Sequence, residues 1–113
     1  MVLRPAVIPA AADADTSTEE AEVQKPVKYA ALTFDDGPSR YTESLLDGLK
    51  ERGIHATFFL IGQQVEGRED LVRRMKEEGH QIGNHSYDHP MLNKVNSSAA
   101  WKNLDHCNSV LTE

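Results

Sequence analysis

Two adjacent carboxylates, Asp35 and Asp36, and two imidazoles four residues apart, His85 and His89, are the side chains here best suited to chemistry. A histidine pair at i, i+4 lies on one face if its segment makes a single helical turn, with Cβ atoms about 5–6 Å apart. Both rings then reach one divalent ion at about 2.0–2.1 Å. Pro90 follows directly and disfavours helical backbone at His89, so such a turn ends there. Two histidines and one carboxylate leave open positions on the ion, as a catalytic site requires. Neighbouring residues of an extended segment point opposite ways, so one of Asp35 and Asp36 can bind metal while the other contacts water. That division suits hydrolysis: the ion acidifies water and polarises a carbonyl, and the free carboxylate takes the proton.

The elements that must position these groups alternate between strand and helix. An apolar run, Tyr29 to Phe34, stops at Asp35-Asp36-Gly37-Pro38, which reads as a strand and a sharp turn. Leu45, Leu46 and Leu49 mark one face of a helix from about Thr42 to Arg52, stopped by Gly53. Ala56 to Ile61 reads as a buried strand. A helix near Asp70 to Glu78 presents Leu71, Val72 and Met75 and ends at Gly79. Gln81 to Asn84 reads as a third strand, and a last helix begins near Ser97 or Ser98 and runs towards Val110. Such alternation implies an α/β fold with a parallel sheet. Functional residues in these folds gather at the C-terminal sheet edge, where Asp35, Asp36, His85 and His89 all fall.

The segments Thr33-Phe34-Asp35-Asp36-Gly37-Pro38 and Asn84-His85-Ser86-Tyr87-Asp88-His89-Pro90 resemble the first two motifs of the polysaccharide deacetylases with a NodB-type domain, carbohydrate esterase family 4. Ala56 to Gly62 and Glu78 to Gly83 are similar to that family too, in the same order. The resemblance covers roughly Val27 to Glu113. It implies an irregular (β/α) barrel, of which this is about the first three β-α units, truncated before the later motifs. It implies Asp35 as general base, Asp36, His85 and His89 as metal triad, and Ser86 as a hydrogen-bonding support of the histidine loop. The implied ion is usually zinc, with cobalt or another divalent ion also working. The implied substrate is an N-acetylated glycan of peptidoglycan or chitin type, which loses acetate from an N-acetylglucosamine unit. An extracytoplasmic location follows from the same resemblance. In the family, later motifs supply an arginine that orients the base, an oxyanion donor and a histidine acid, so this stretch alone is expected to be inactive or nearly so. The competing reading is a non-catalytic metal- or glycan-binding remnant. A phosphatase-like aspartyl loop is disfavoured, because its two aspartates are separated by one residue and His85 and His89 would have no role.

Other candidates read as structural. His55 and His80 lead into strands and suit packing or turns; His106 is expected on an exposed helix face. Trp101 is expected to be packed or partly buried, and Cys107 to be a small buried apolar residue on a face with Ala100, Leu104 and Leu111. Arg73, Arg74 and Lys76 beside Glu77 and Glu78 read as a charged helix face. Asn96-Ser97-Ser98 fits the glycosylation pattern.

Composition narrows the classes further. In 113 residues, 39% are hydrophobic and 27% charged, which suits one globular domain. The net charge of -6 argues against a nucleic-acid footprint. No apolar run approaches the roughly 20 residues of a membrane span, and a single cysteine permits no internal disulfide. Residues 1–26 hold three of the five prolines and five acids against Arg4 and Lys25, which reads as a disordered tail or linker. Ala6 to Ala12 lacks the charged start and long apolar core of a signal peptide. The composition is silent on oligomeric state.

Overall fold

The computed structural model describes residues 7–9 and 25–113. Two short strands, β1 (Val7–Pro9) and β2 (Tyr29–Ala31), pair antiparallel with Val7 opposite Ala31. Three residues of the stretch expected to be a tail therefore form a strand; most of that stretch lies outside the described residues. The expected first strand is divided, with Leu32 between β2 and β3 (Thr33–Gly37). The order then continues through α1 (Thr42–Glu51), β4 (Thr57–Leu60), α2 (Gly62–Val65), α3 (Glu69–Glu77), β5 (Gln81–Asn84), a 3-10 turn at Leu92–Lys94 and α4 (Ser97–Thr112). The short α2 and the 3-10 turn have no counterpart in the sequence reading.

Strands β3, β4 and β5 form a parallel sheet in that spatial order. Phe34, Phe58 and Ile82 are register partners, as are Asp35, Phe59 and Gly83. The first row faces the core. Phe58 and Leu60 are buried with Leu46, Leu49, Ala56, Val65 and Met75, and Phe34, Ile82, Leu71, Val72 and Val110 pack against them. Phe34 stacks on Phe58 with ring centroids 5.4 Å apart. Truncating a fully buried leucine such as Leu46 in this cluster costs about 2–5 kcal/mol.

Helices α1 and α3 end the same way. Gly53 (φ +62°) donates to Lys50 O while Ile54 N–H reaches Leu49 O; Gly79 (φ +84°) donates to Lys76 O while His80 N–H reaches Met75 O. A left-handed glycine thus closes both helices in the paired-bond cap that turns the chain sharply towards the next strand. Helix α4 is started by Asn96, whose side chain accepts the Ala99 amide at 2.8 Å. It docks through Cys107, which is fully buried. Trp101, about 120° round the helix from Cys107 at 3.6 residues per turn, is 73% exposed rather than packed. Among the described residues no helix is long and apolar enough to cross a membrane.

Candidate metal centre

The C-terminal ends of the three parallel strands line up. The ladder continues past β4 and β5: Ile61 N–H donates to Gly37 O and His85 N–H to Leu60 O, both at 2.9 Å. Asp36 and His85 are thereby brought to the same sheet edge. Between Asp35 and Gly37 the pairing slips by one residue, so Asp36 bulges out of the ladder with φ +67°. Asp35 and Asp36 are therefore aimed apart by a bulge, which re-aims a side chain, and not by plain strand alternation. The Gly37–Pro38 peptide that follows is cis.

Asp36 Oδ1 lies 3.2 Å from His85 Nε2 and 3.5 Å from His89 Nε2. The donor atoms of these three residues all fall within 4.8 Å of one another. Two ligands on one ion at about 2.0–2.1 Å in tetrahedral geometry are roughly 3.3 Å apart, so the spacing suits a shared divalent ion. The side chains of Asp36 and His89 are more than half exposed and that of His85 one-third, which leaves the edge open to a ligand. Among the described residues no lysine or arginine is ion-paired with Asp36.

No helical turn joins the histidines: residues 85–90 are irregular. Ser86 (φ +68°) and His89 (φ +57°) both take positive φ, and the rings still approach to 5.1 Å between centroids. Left-handed backbone at a residue other than glycine costs of order 1–3 kcal/mol and persists only where the surroundings impose it. Here Ser86 Oγ accepts the His89 amide at 3.1 Å and donates to His85 O. Ser86 N–H donates to Asn84 Oδ1 at 2.8 Å, and Gly62 N–H and Gln63 N–H donate to the carbonyls of Ser86 and Tyr87. A Cβ on Gly62 would lie 2.8 Å from Tyr87 Cδ2, so only glycine lets α2 approach this closely.

Asp35 is exposed and lines an open cleft of about 300 Å³ with Asp36, Ser39, Tyr41 and Thr42. The cleft floor includes Phe34, Leu45 and Phe58. Thr42 Oγ1 accepts the Ser39 amide at 2.8 Å and shapes the turn into α1.

The remaining histidines stand elsewhere. His80 is buried at the opposite end of the sheet, where its Nδ1 accepts the Ala56 amide at 3.1 Å, and the exposed His55 ring lies edge-on to it. His106 is exposed, as expected, but also stacks on Tyr87 at 3.9 Å. The Tyr87 hydroxyl donates to Glu66 at 2.8 Å, which holds it above the usual tyrosine range. The expected charged face of α3 is organised by Arg74, which binds Asp47 and Glu78. Sequence reasoning missed Asn84, Asn103 and Gly62 as supports of the histidine loop. Asn84 and Gly62 stand at element ends inside the family-like segments, whereas Asn103 lies mid-helix with no local signal of its contact.

Known proteins are similar to this chain in sequence and fold. A peptidoglycan-N-acetylglucosamine deacetylase of Bacillus cereus is 54% identical over 67 residues, 58% of this chain and 24% of that protein. A crystal structure of a peptidoglycan N-acetylglucosamine deacetylase, solved with a benzamide compound, superposes with a TM-score of 0.70 at 44% identity, covering 73% of this chain and 39% of the other. A family 4 acetyl xylan esterase from Clostridium thermocellum, in complex with a cobalt ion, superposes with a TM-score of 0.68 at 36% identity, covering 73% and 41%. The chain spans less than half the length of these relatives. The expected α/β fold of these esterases is borne out. With the polysaccharide deacetylase family model matching residues 22–113, the carboxylate and histidine motifs at one sheet edge have their place: the chain belongs to the polysaccharide deacetylase family.

Proposed function

We propose that this chain carries the metal-binding and base-bearing portion of a polysaccharide N-deacetylase. Residues 27–113 would form the N-terminal part of its catalytic domain. The observation that carries the reading is the approach of Asp36 Oδ1 to both His85 Nε2 and His89 Nε2, at 3.2 and 3.5 Å. These three residues would hold a divalent ion, zinc being the one that two imidazoles and a carboxylate suit in hydrolases. When bound, such an ion supplies Lewis-acid chemistry, acidifying water and polarising a carbonyl.

Asp35 acts as the base. Its carboxylate, one residue from Asp36 and exposed on the cleft, removes a proton from the water that attacks the acetyl carbonyl of an N-acetylglucosamine unit. The carbon–nitrogen bond breaks, water supplies one oxygen of the departing acetate, and a proton, balancing the one Asp35 took, passes to the leaving nitrogen, so the sugar keeps a free amine. Ser86 keeps His85 and His89 in register with Asp36 through its two bonds to the loop backbone. The relatives that act on peptidoglycan support a cell-wall glycan substrate and an extracytoplasmic setting.

These 113 residues would contribute little turnover alone. Loss of one oxyanion donor costs about 10²–10³ in rate, and loss of a general acid about 10²–10⁴. Calorimetric zinc titration tests the site: Asp36→Ala and His89→Ala should abolish most of the affinity, and Asp35→Ala should retain it. Equal losses for all three would remove the division of roles. Acetate release from N-acetylated glycan fragments, at the rate of a complete relative, would contradict the expected inactivity.

A further inference from the structure

The histidine loop is held from a direction that its own motif does not supply. Between His85 and His89, three amides have partners on the sheet or within the loop: His85 N–H on Leu60 O, Ser86 N–H on Asn84 Oδ1, and His89 N–H on Ser86 Oγ. The amide of Tyr87 instead donates to Asn103 Oδ1 on α4, at 2.7 Å and 16 residues away. The same side chain donates through Nδ2 to Asp88 Oδ1 at 2.6 Å. One amide therefore grips two successive loop residues immediately before His89. It offers its acceptor to the backbone and its donor to the carboxylate.

Helix α4 is itself fixed in position relative to the loop. Asn84 Nδ2 donates to Leu104 O at 2.8 Å and to Asn108 Oδ1 at 2.7 Å, and Asn84 Oδ1 accepts the Ser86 amide. His106 stacks on the Tyr87 ring. Cys107 seats the helix against β4, its Sγ 3.8 Å from Leu60 O. Asn103 thus reaches the loop from a docked helix, and the loop it reaches contains two left-handed residues, Ser86 and His89. Groups that orient metal-binding side chains from outside the ligand set typically change metal affinity about 10–100-fold when removed.

We propose that Asn103 is a positioning residue for the metal centre, setting the Tyr87–Asp88 backbone so that His89 meets His85 and Asp36. This rests on the reading of Asp36, His85 and His89 as metal ligands. The amide is required in both its halves. A leucine of similar volume offers neither bond. An aspartate keeps the acceptor for Tyr87 N–H but sets two carboxylates against each other across the Asp88 contact.

The test is zinc titration by calorimetry, with a competing chelator, on the full 113-residue chain. Circular dichroism of the metal-free proteins runs in parallel. Asn103→Leu and Asn103→Asp are each expected to weaken zinc binding about 10–100-fold with the helical signal unchanged. The reciprocal double variant, Asn103→Asp with Asp88→Asn, re-forms an amide–carboxylate pair across the same gap and should recover most of the affinity. An asparagine that served only to dock α4 would instead show its loss in the helical signal of the metal-free protein. Parent-like affinity in Asn103→Leu overturns the proposal while the ligand assignment stands. Failure of the parent itself to bind zinc overturns the ligand assignment first, and this inference with it. Should Asn103→Leu lose its helical signal, the reciprocal pair decides: recovered affinity supports the role and absent recovery refutes it.

Discussion

Ser86 Oγ accepts the backbone amide of His89 at 3.1 Å, and this bond closes the loop that brings the two histidines together. Ser86 is buried and holds φ +68°, so its hydroxyl and its backbone are both committed. Two substitutions separate those contributions. Ser86→Ala removes the hydroxyl and keeps the backbone cost; Ser86→Gly removes the hydroxyl and relieves that cost. If the hydroxyl holds the loop, both variants bind zinc about 10–100-fold more weakly in calorimetry. Recovery in Ser86→Gly alone would mean that backbone strain, not the hydrogen bond, governs the site.

Gly83 permits Phe59 to lie across β5 beside the site. A Cβ at residue 83 would fall 2.5 Å from Cδ1 and 2.6 Å from Cε1 of Phe59, whose ring centroid is 6.5 Å from that of His85. Gly83→Ala is expected to force the ring aside and destabilise the domain by about 1–3 kcal/mol in urea unfolding. Phe59→Leu shortens the obstructing side chain, so the double variant should lose less than the two single losses added together. Strict additivity would show that the two positions do not meet.

The sheet, its two glycine-stopped helices and the motifs that carry Asp36, His85 and His89 to one edge were legible because each is written in local pattern. Leu45, Leu46 and Leu49 report a helix face, Gly53 and Gly79 report the stops of two helices, and the apolar run Ala56 to Ile61 reports a strand, which the structure buries fully only at alternate residues. What brings the histidines together was legible only at Ser86, the support that the resemblance implied. The i, i+4 spacing suggested a helical turn, whereas the loop uses two positive-φ residues held by Ser86, Asn84 and Asn103. Those restraints come from up to 16 residues away, and hydrophobic periodicity carries no record of such bonds. The bulge at Asp36 was hidden likewise, since register is a property of two strands and the motif shows only one.

Cys107 offers a direct reporter of whether α4 stays docked. Its thiol is fully buried, and burial pushes its pKa above the usual cysteine range, so both access and thiolate fraction are low. A thiol reagent such as iodoacetamide is expected to leave the folded chain unlabelled near neutral pH and to label it rapidly in urea. Fast labelling without urea would mean that α4 detaches readily, and that Asn103 is a weak hold on the histidine loop.

The buried His80 gives stability a pH dependence whose direction is fixed by geometry. Its Nδ1 accepts the Ala56 amide, so the ring is neutral with its proton on Nε2; charging it would set a second N–H against that donor. Nε2 faces Glu78 Oε2 at 4.0 Å, and neither atom has a hydrogen-bond partner among the described residues. Burial is the main cause that lowers the His80 pKa; the neighbouring His55 and Arg74 act in the same direction and Glu78 opposes them. An unfolded histidine takes up its proton near pH 6.5, and the folded one only at lower pH. Between those points the unfolded chain binds more protons, so stability falls as the solution is acidified through that window. Glu78, held below the usual carboxylate range chiefly by Arg74, adds a separate loss only in the more acidic carboxylate range. Urea midpoints measured in chelator should therefore be level above about pH 7 and decline from about pH 6.5 downward. His80→Asn retains an acceptor for the Ala56 amide but cannot take a proton; its starting stability is lower, and its decline below about pH 6.5 should be shallower than the parent's. The remaining histidines are common to both proteins, so the difference between the two curves isolates His80. Parallel curves between pH 5 and 7 would show that this ring does not set the acid sensitivity of the fold.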